Sequence, residues 1–271
     1  MRRITISLIL ICVTFYLAGC FVDQEIVNKK ELIDNEFCGA WESILIEDIG
    51  EDFTVMNNVF NGEDIKGYTQ CIYTYGIEKD PIIGWNWDWP KSSTLSAYPG
   101  VLSGYKPWDG APDNETGFPV TVSNSNISLS FDVDIEAAGS YNVAADIWCG
   151  NNNPPTINGI THEVMVWLKN ENLVPFGEFV ETVTIGNREY ELWISDDHYD
   201  ITENSDHRWK YFAFVDKSEQ LQGPLELKGF FDYLVQNNHM EDSIYINSVE
   251  FGTQVATGKG VVEVYRYDIS L

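Results

Sequence analysis

The chain is short of positive charge: 16 Lys and Arg stand against 42 Asp and Glu, giving a formal net charge of −26 and a pI near 4.2. A surface of that sign repels phosphate backbones and anionic headgroups, so nucleic acid and anionic membrane surfaces are excluded as partners. Its four histidines (His162, His198, His207 and His239) are scattered, and there is no Cys-x-x-Cys. A structural zinc site needs about four converging ligands, so no metal is expected. No organic cofactor is implied either. No internal repeat, linker or second domain is visible. Apolar runs are short too. The longest, Ile4 to Tyr16, falls well below the roughly 20 residues needed to span a bilayer.

That run has another reading. Arg2 and Arg3 precede it, and Leu17-Ala18-Gly19-Cys20 closes it. A positive start, an apolar stretch and small residues before a cut mark a secretory signal. The closing tetrapeptide resembles the lipobox of bacterial lipoproteins, whose cysteine is lipidated. The expectation is a signal peptide over 1–19, lipidation at Cys20, a polar tether over 20–37 and one domain over 38–271. The product would be an exported monomer on the cell surface or in the envelope, held to the membrane through Cys20 only. Of the five cysteines, Cys12 leaves with the signal and Cys20 is acylated, so Cys38, Cys71 and Cys149 remain. Exported proteins pair such cysteines. Cys38 and Cys71 both sit near the ends of strand-like runs and are taken as the pair.

From residue 38 onward, short alternating runs are separated by Gly, Pro, Asn and Asp. Strands are predicted at 127–133, 141–148, 163–168, 179–185, 188–195, 209–215, 245–251 and 260–269. Regular strands with turn signals predict an all-β sandwich or jelly roll of two antiparallel sheets. One helix is predicted from Pro224 to about Asn238, because Leu227, Phe230, Phe231, Leu234 and Val235 follow the spacing of a single buried stripe.

Two strands carry the chemistry. In Thr161-His162-Glu163-Val164-Met165-Val166-Trp167, alternation puts Glu163, Met165 and Trp167 on one face and Val164 and Val166 on the other. The valine face reads as core. The other face sets a carboxylate beside a thioether and an indole, as a sugar-binding floor with a nucleophile would. A lone strand Glu facing solvent is the bland alternative. In Trp85-Asn86-Trp87-Asp88-Trp89 three indoles share a face. Such a row fills a core or stacks against the C–H faces of pyranose rings. The stacking platform is the expectation carried forward, with Trp108, Trp148, Tyr98 and Tyr105 extending it. Asp146 shares a face with Trp148 on the strand before Glu163. It is either an exposed strand residue or a second carboxyl that holds the nucleophile and shares its proton.

His162-Glu163-Val164-Met165-Val166-Trp167 resembles the Glu-aliphatic-Met-aliphatic-Trp motif of glycoside hydrolase family 12. Other matches follow in family order: Asn57-Asn58-Val59-Phe60, Trp85 to Trp89, Asn142 to Asp146, Phe230 to Leu234, and Val249-Glu250-Phe251-Gly252-Thr253-Gln254. Cys38 and Cys71 resemble the family's N-terminal disulfide. The resemblance implies a jelly roll with its helix on the convex side. It also implies a retaining endo-β-1,4-glucanase acting on β-glucan in an open groove, with Glu163 as nucleophile and Asp146 as its auxiliary. The family's acid/base Glu corresponds here to Gln254, and an amide cannot donate the proton a leaving sugar needs. Three readings stay open. The chain is a β-glucan-binding relic; or Glu250, roughly 13 Å along the strand, has taken over; or turnover survives by another route.

Overall fold

The structure, a computed structural model, describes residues 35–46, 52–63, 65–77, 80–91, 94–106, 108, 117–199 and 206–271. The expected signal peptide, Cys20 and most of the expected tether lie outside these residues. The tether's last three residues do not. Asn35–Phe37 form strand β1 against β4 (Thr69–Ile77), so the folded domain starts before Cys38, and the Cys38–Cys71 disulfide ties the two strands together.

The jelly roll is built around two long bent strands, β8 (Ser128–Gly150) and β14 (Val255–Ser270). The runs predicted at 127–133 and 141–148 are the two halves of β8. Its first half pairs with β14, and β14 pairs with β5 (Asp80–Trp89), which leads to β4 and β1. Its second half lies between β13 (Tyr245–Gly252) and β9 (Ile160–Glu171). From β9 the layer continues through β12 (Trp209–Asp216) and β11 (Arg188–His198) to β10 (Glu178–Ile185). From β13 it continues through β6 (Gly100–Gly104) and β3 (Phe53–Met56) to β2 (Ser43–Ile46), with β7 (Val120–Thr121) beside β13. The two layers are therefore one hydrogen-bonded network rather than two separate sheets. The β9–β12 pair is parallel, where all-antiparallel pairing was expected.

The crossing between layers depends on glycine. Gly139 in β8 and Gly258 in β14 are register partners with φ of 134° and 93°. A Cβ on either would meet the opposite backbone oxygen at 2.2 or 2.0 Å. Only glycine allows that approach and that backbone. Past the bend the layers face each other, with Phe131 of β8 against Phe251 of β13 at 5.1 Å between ring centroids.

The single described α-helix, α1 (Leu227–Gln236), buries Leu227, Phe230, Phe231 and Leu234, while Val235 is half-buried. Phe230 packs edge-on to Tyr190 and Phe214, each at 5.0 Å. These two point to the face of β11 and β12 opposite Trp193 and Ala213, so the helix covers the back of the layer that carries Glu163 on its front.

Candidate active site

The pairing register lays side chains in rows across the front of this layer, because directly paired residues share a face. One row runs Ser195–Tyr211–Glu163–Trp148–Ser248 over β11, β12, β9, β8 and β13. The next runs Trp193–Ala213–Met165–Asp146–Glu250 over the same strands. Val164 and Val166 lie in the main core behind, as alternation predicts. Glu163, Asp146 and Glu250 thus come together on three neighbouring strands, and all are buried, at 6%, 6% and 1% exposure.

Burying three carboxyls in one place demands compensation. Glu163 accepts a hydrogen bond from Trp209 Nε1 at 2.8 Å, and His198 Nε2 lies 3.6 Å from the same oxygen. Glu250 is held on both oxygens, by Trp148 Nε1 at 2.9 Å and by Lys106 Nζ at 3.2 Å. Asp146 lies between them, and its Oδ1 has no hydrogen-bond partner among the described residues. Burial pushes its pKa well above the usual carboxylate range; the charges of Glu163 and then Glu250 push it the same way, against a smaller opposing pull from Lys106. A protonated Asp146 is the state this environment favours.

Aromatic rings wall the carboxylates. Trp148 and Trp209 lie 5.7 Å apart, and Trp108 stands edge-on to both at 4.6 and 6.4 Å. Within the second row Met165 is fully buried, its sulfur 3.4 Å from both Trp167 Nε1 and Tyr211 Oη. Tyr98 is buried in the same cluster and donates its hydroxyl to Ala144 O at 2.9 Å. Met165 and Tyr98 therefore brace the floor from within and do not present a surface to a ligand. Phe60, half-buried, packs against this cluster.

The tryptophan row belongs elsewhere. Trp85, Trp87 and Trp89 are 0%, 2% and 2% exposed and lie in the main core between the layers. Trp85 Nε1 donates to Thr253 Oγ1 and Trp89 Nε1 to Gln70 Oε1, and Trp89 stacks on Tyr68 at 4.0 Å. Gly260, paired with Trp87, leaves room for that indole. The expected platform is thus corrected to core. The physical reason is the other face of β5, where Asn86 is half-buried and Asp88 exposed, so the indole face is the inward one.

Gln254 follows β13 and is bonded to Asn142. Its backbone N–H donates to Asn142 Oδ1 at 2.9 Å, which turns Asn142 Nδ2 toward Gln254 Oε1 at 2.6 Å. The amide oxygen thereby accepts a hydrogen bond, and the Nε2 hydrogens are what the side chain has left to donate. A carboxylate in its place would accept the same Asn142 bond.

Sequence reasoning missed Trp209, His198 and Lys106 as site residues. Trp209 opens a predicted strand, but its contact with Glu163 follows only from the parallel β9–β12 pairing. No local motif marks His198 or Lys106. The one group of described residues with metal-ligand spacing, Glu36 with Cys38 and Cys71, uses disulfide sulfurs, which do not bind a cation as thiolates do. Cys149 is a buried free thiol whose pKa is raised by burial and then by Asp146.

A jelly roll whose front face gathers carboxyls among indoles defines a carbohydrate-active protein. The chain belongs to glycosyl hydrolase family 12, whose model matches residues 51–271. It is 34% identical over 227 residues to Endoglucanase S of Pectobacterium parmentieri, covering 81% of each chain. It is 26% identical to the xyloglucan-specific endo-beta-1,4-glucanase A of Aspergillus aculeatus, covering 88% of this chain and 91% of that one. Among solved structures, a family 12 xyloglucanase from Bacillus licheniformis superposes with a TM-score of 0.78 at 30% identity, over 87% of this chain and 99% of that one.

Proposed function

We propose that the protein is a retaining endo-β-1,4-glucanase for cellulose-like glucan or xyloglucan, with turnover limited by Gln254. Glu163 attacks the anomeric carbon. The indole N–H of Trp209 orients its carboxylate. Asp146, holding a proton, keeps the nucleophile ionised and in place. The observation that carries this reading is the Glu163–Asp146–Glu250 cluster among Trp148, Trp209 and Trp108, facing away from the core. No metal or cofactor is needed for these roles.

The Asn142–Gln254 pair favours a second reading, a surface lipoprotein that captures β-glucan with little turnover. Gln254 Nε2 can donate a hydrogen bond to a glycosidic oxygen but cannot transfer the proton. Glu250 is a poor substitute, because Lys106 and Trp148 already occupy both its oxygens. In either reading Cys20 anchors the protein as a monomer at the cell envelope. The support for the anchor is Leu17-Ala18-Gly19-Cys20 after an apolar run. Lipid labelling lost in Cys20→Ser would test it.

Reducing-end release from soluble xyloglucan and mixed-linkage glucan separates the two readings. Gln254→Glu is expected to raise it at least about 100-fold, the lower end of what a positioned acid/base supplies, with a β-anomer as first product. If wild type already matches Gln254→Glu, the proton comes from another group and Glu250→Gln is the next variant.

A further inference from the structure

The row through Asp146 does not stop at Trp193. Phe179 of the edge strand β10 is the register partner of Trp193, and their rings meet edge-on at 5.9 Å. Trp193 packs against the Met165–Trp167–Tyr211 cluster, so the pair lies on the front face of the layer, in line with the carboxylates. At about 4.8 Å per strand, Trp193 sits roughly 10 Å and Phe179 roughly 14 Å from the strand of Glu163. Phe179 is 50% exposed.

A second ring borders the same stretch. Phe176, 45% exposed, stands edge-on to His198 at 4.4 Å and 6.4 Å from Tyr211. Its loop is held in shape. Asn170 exchanges two hydrogen bonds with the backbone of Leu173 at 2.9 and 3.2 Å. Gly177, at φ 85°, passes so close to Ile194 O that a Cβ would sit 2.2 Å from it. The aromatic lip is therefore built by the fold rather than left by a loose loop.

Exposed aromatic rings on a chain of net charge −26 do not suit an anionic partner. They suit a neutral ligand with flat apolar faces, and the lip continues the row in which such a ligand would react. We infer that Phe179, Trp193 and Phe176 form a distal sugar subsite, which stacks on the pyranose rings of a β-1,4-glucan chain running out from Glu163 across β12, β11 and β10. This inference rests on the glucanase reading and adds a length requirement: long chains gain from the lip and short ones do not.

The test uses Glu163→Gln, so that substrate survives, and titrates it calorimetrically with cellotriose and cellohexaose. Adding Phe179→Ala or Phe179→Leu is expected to weaken cellohexaose binding about 5-fold or more, the equivalent of roughly 1 kcal/mol for a lost aromatic stack, with cellotriose binding unchanged. Leu keeps the apolar volume and removes only the flat ring, so a loss shared by Ala and Leu is a loss of stacking. Equal weakening for both lengths would make Phe179 a structural support and overturn the subsite; no weakening for either would do the same. A dimer in the parent that becomes monomeric in Phe179→Ala would assign the patch to a second copy of this chain. If the parent binds neither oligosaccharide, the glucanase reading falls and the subsite with it. If it binds both but the Phe179 variants fail to discriminate length, only the subsite falls.

Discussion

Strands β5 and β9 look alike in sequence and do opposite things. Each carries large side chains at every second position with something polar nearby. In β5 the indoles Trp85, Trp87 and Trp89 fill the core; in β9 the face with Glu163 and Trp167 forms the site. What separates them is the reverse face. Behind the indoles of β5 stand Asn86 and Asp88, which must reach solvent, so the indoles turn inward. Behind Glu163 stand Val164, Val166 and Leu168, all fully buried, so the carboxylate turns outward. An aromatic row is a binding surface only where its other side is also apolar, because a strand between two apolar faces has one face left for something besides the core.

The largest effect that could break this contrast concerns Trp87. Trp87→Ala is expected to cost about 3–5 kcal/mol of stability, as truncation of a buried aromatic does, and to leave oligosaccharide affinity of the folded fraction unchanged. Trp209→Phe should behave in the reverse way. It keeps an aromatic ring, shortens the indole by its second ring and removes the N–H that donates to Glu163. Steady-state kinetics on an activated aryl glycoside should show kcat/KM down about 10-fold or more, since hydrogen bonds to charged groups contribute about 1.5–3 kcal/mol, with a smaller loss of stability than in Trp87→Ala. Lost affinity in Trp87→Ala, or unaltered kinetics in Trp209→Phe, would exchange the roles of the two strands.

A smaller effect sharpens the contrast within the site-bearing layer. His162, next to Glu163 but on the opposite face, has its pKa lowered to about 4 by burial. The unfolded chain takes up this proton first, so stability should fall as pH drops from about 6.5 to about 4, by on the order of 2–3 kcal/mol from this group. Asp146 has the opposite sign. Its folded pKa is raised, so the native state holds a proton that the unfolded chain releases above about 4. Its contribution declines as pH rises above that value, by at most about 1.4 kcal/mol per pH unit. Denaturant midpoints across pH 4–8 should therefore show a flatter acid limb in His162→Gln and a flatter neutral limb in Asp146→Asn. Asp146→Asn should also be more stable than wild type at pH 7.

Much of this was legible in the sequence. Alternation located Glu163, Met165 and Trp167 on one face. The spacing of Leu227, Phe230, Phe231 and Leu234 located the helix, and the strand-end positions of Cys38 and Cys71 paired them. The Trp85–Trp89 row was ambiguous only while its own face was considered. What could not be read was long-range register. The parallel β9–β12 pairing that brings Trp209 to Glu163 leaves no local trace, nor does the bend at Gly139 and Gly258 that makes one strand of residues 128–150. Gln254 was legible as a substitution, but its lock onto Asn142 needed the two strand ends in place. Glu250 looked too far along its strand from Gln254 to matter, yet the fold sets it opposite Asp146, because the site is organised across strands rather than along one.

The central claim is that Glu163 is the nucleophile of a site whose proton donor has been replaced. It is tested most directly with a 2-deoxy-2-fluoro-β-cellobioside carrying a dinitrophenolate leaving group, which departs without protonation. The carboxylate oxygen bonds to the anomeric carbon as the aryloxide leaves, and the fluorine slows release of the ester. Peptide mass mapping of the wild-type chain is expected to find one fluoroglycosyl group, on the peptide containing Glu163, and none in Glu163→Gln. An adduct on Asp146 or Glu250, or an unmodified protein after prolonged incubation, would contradict the account.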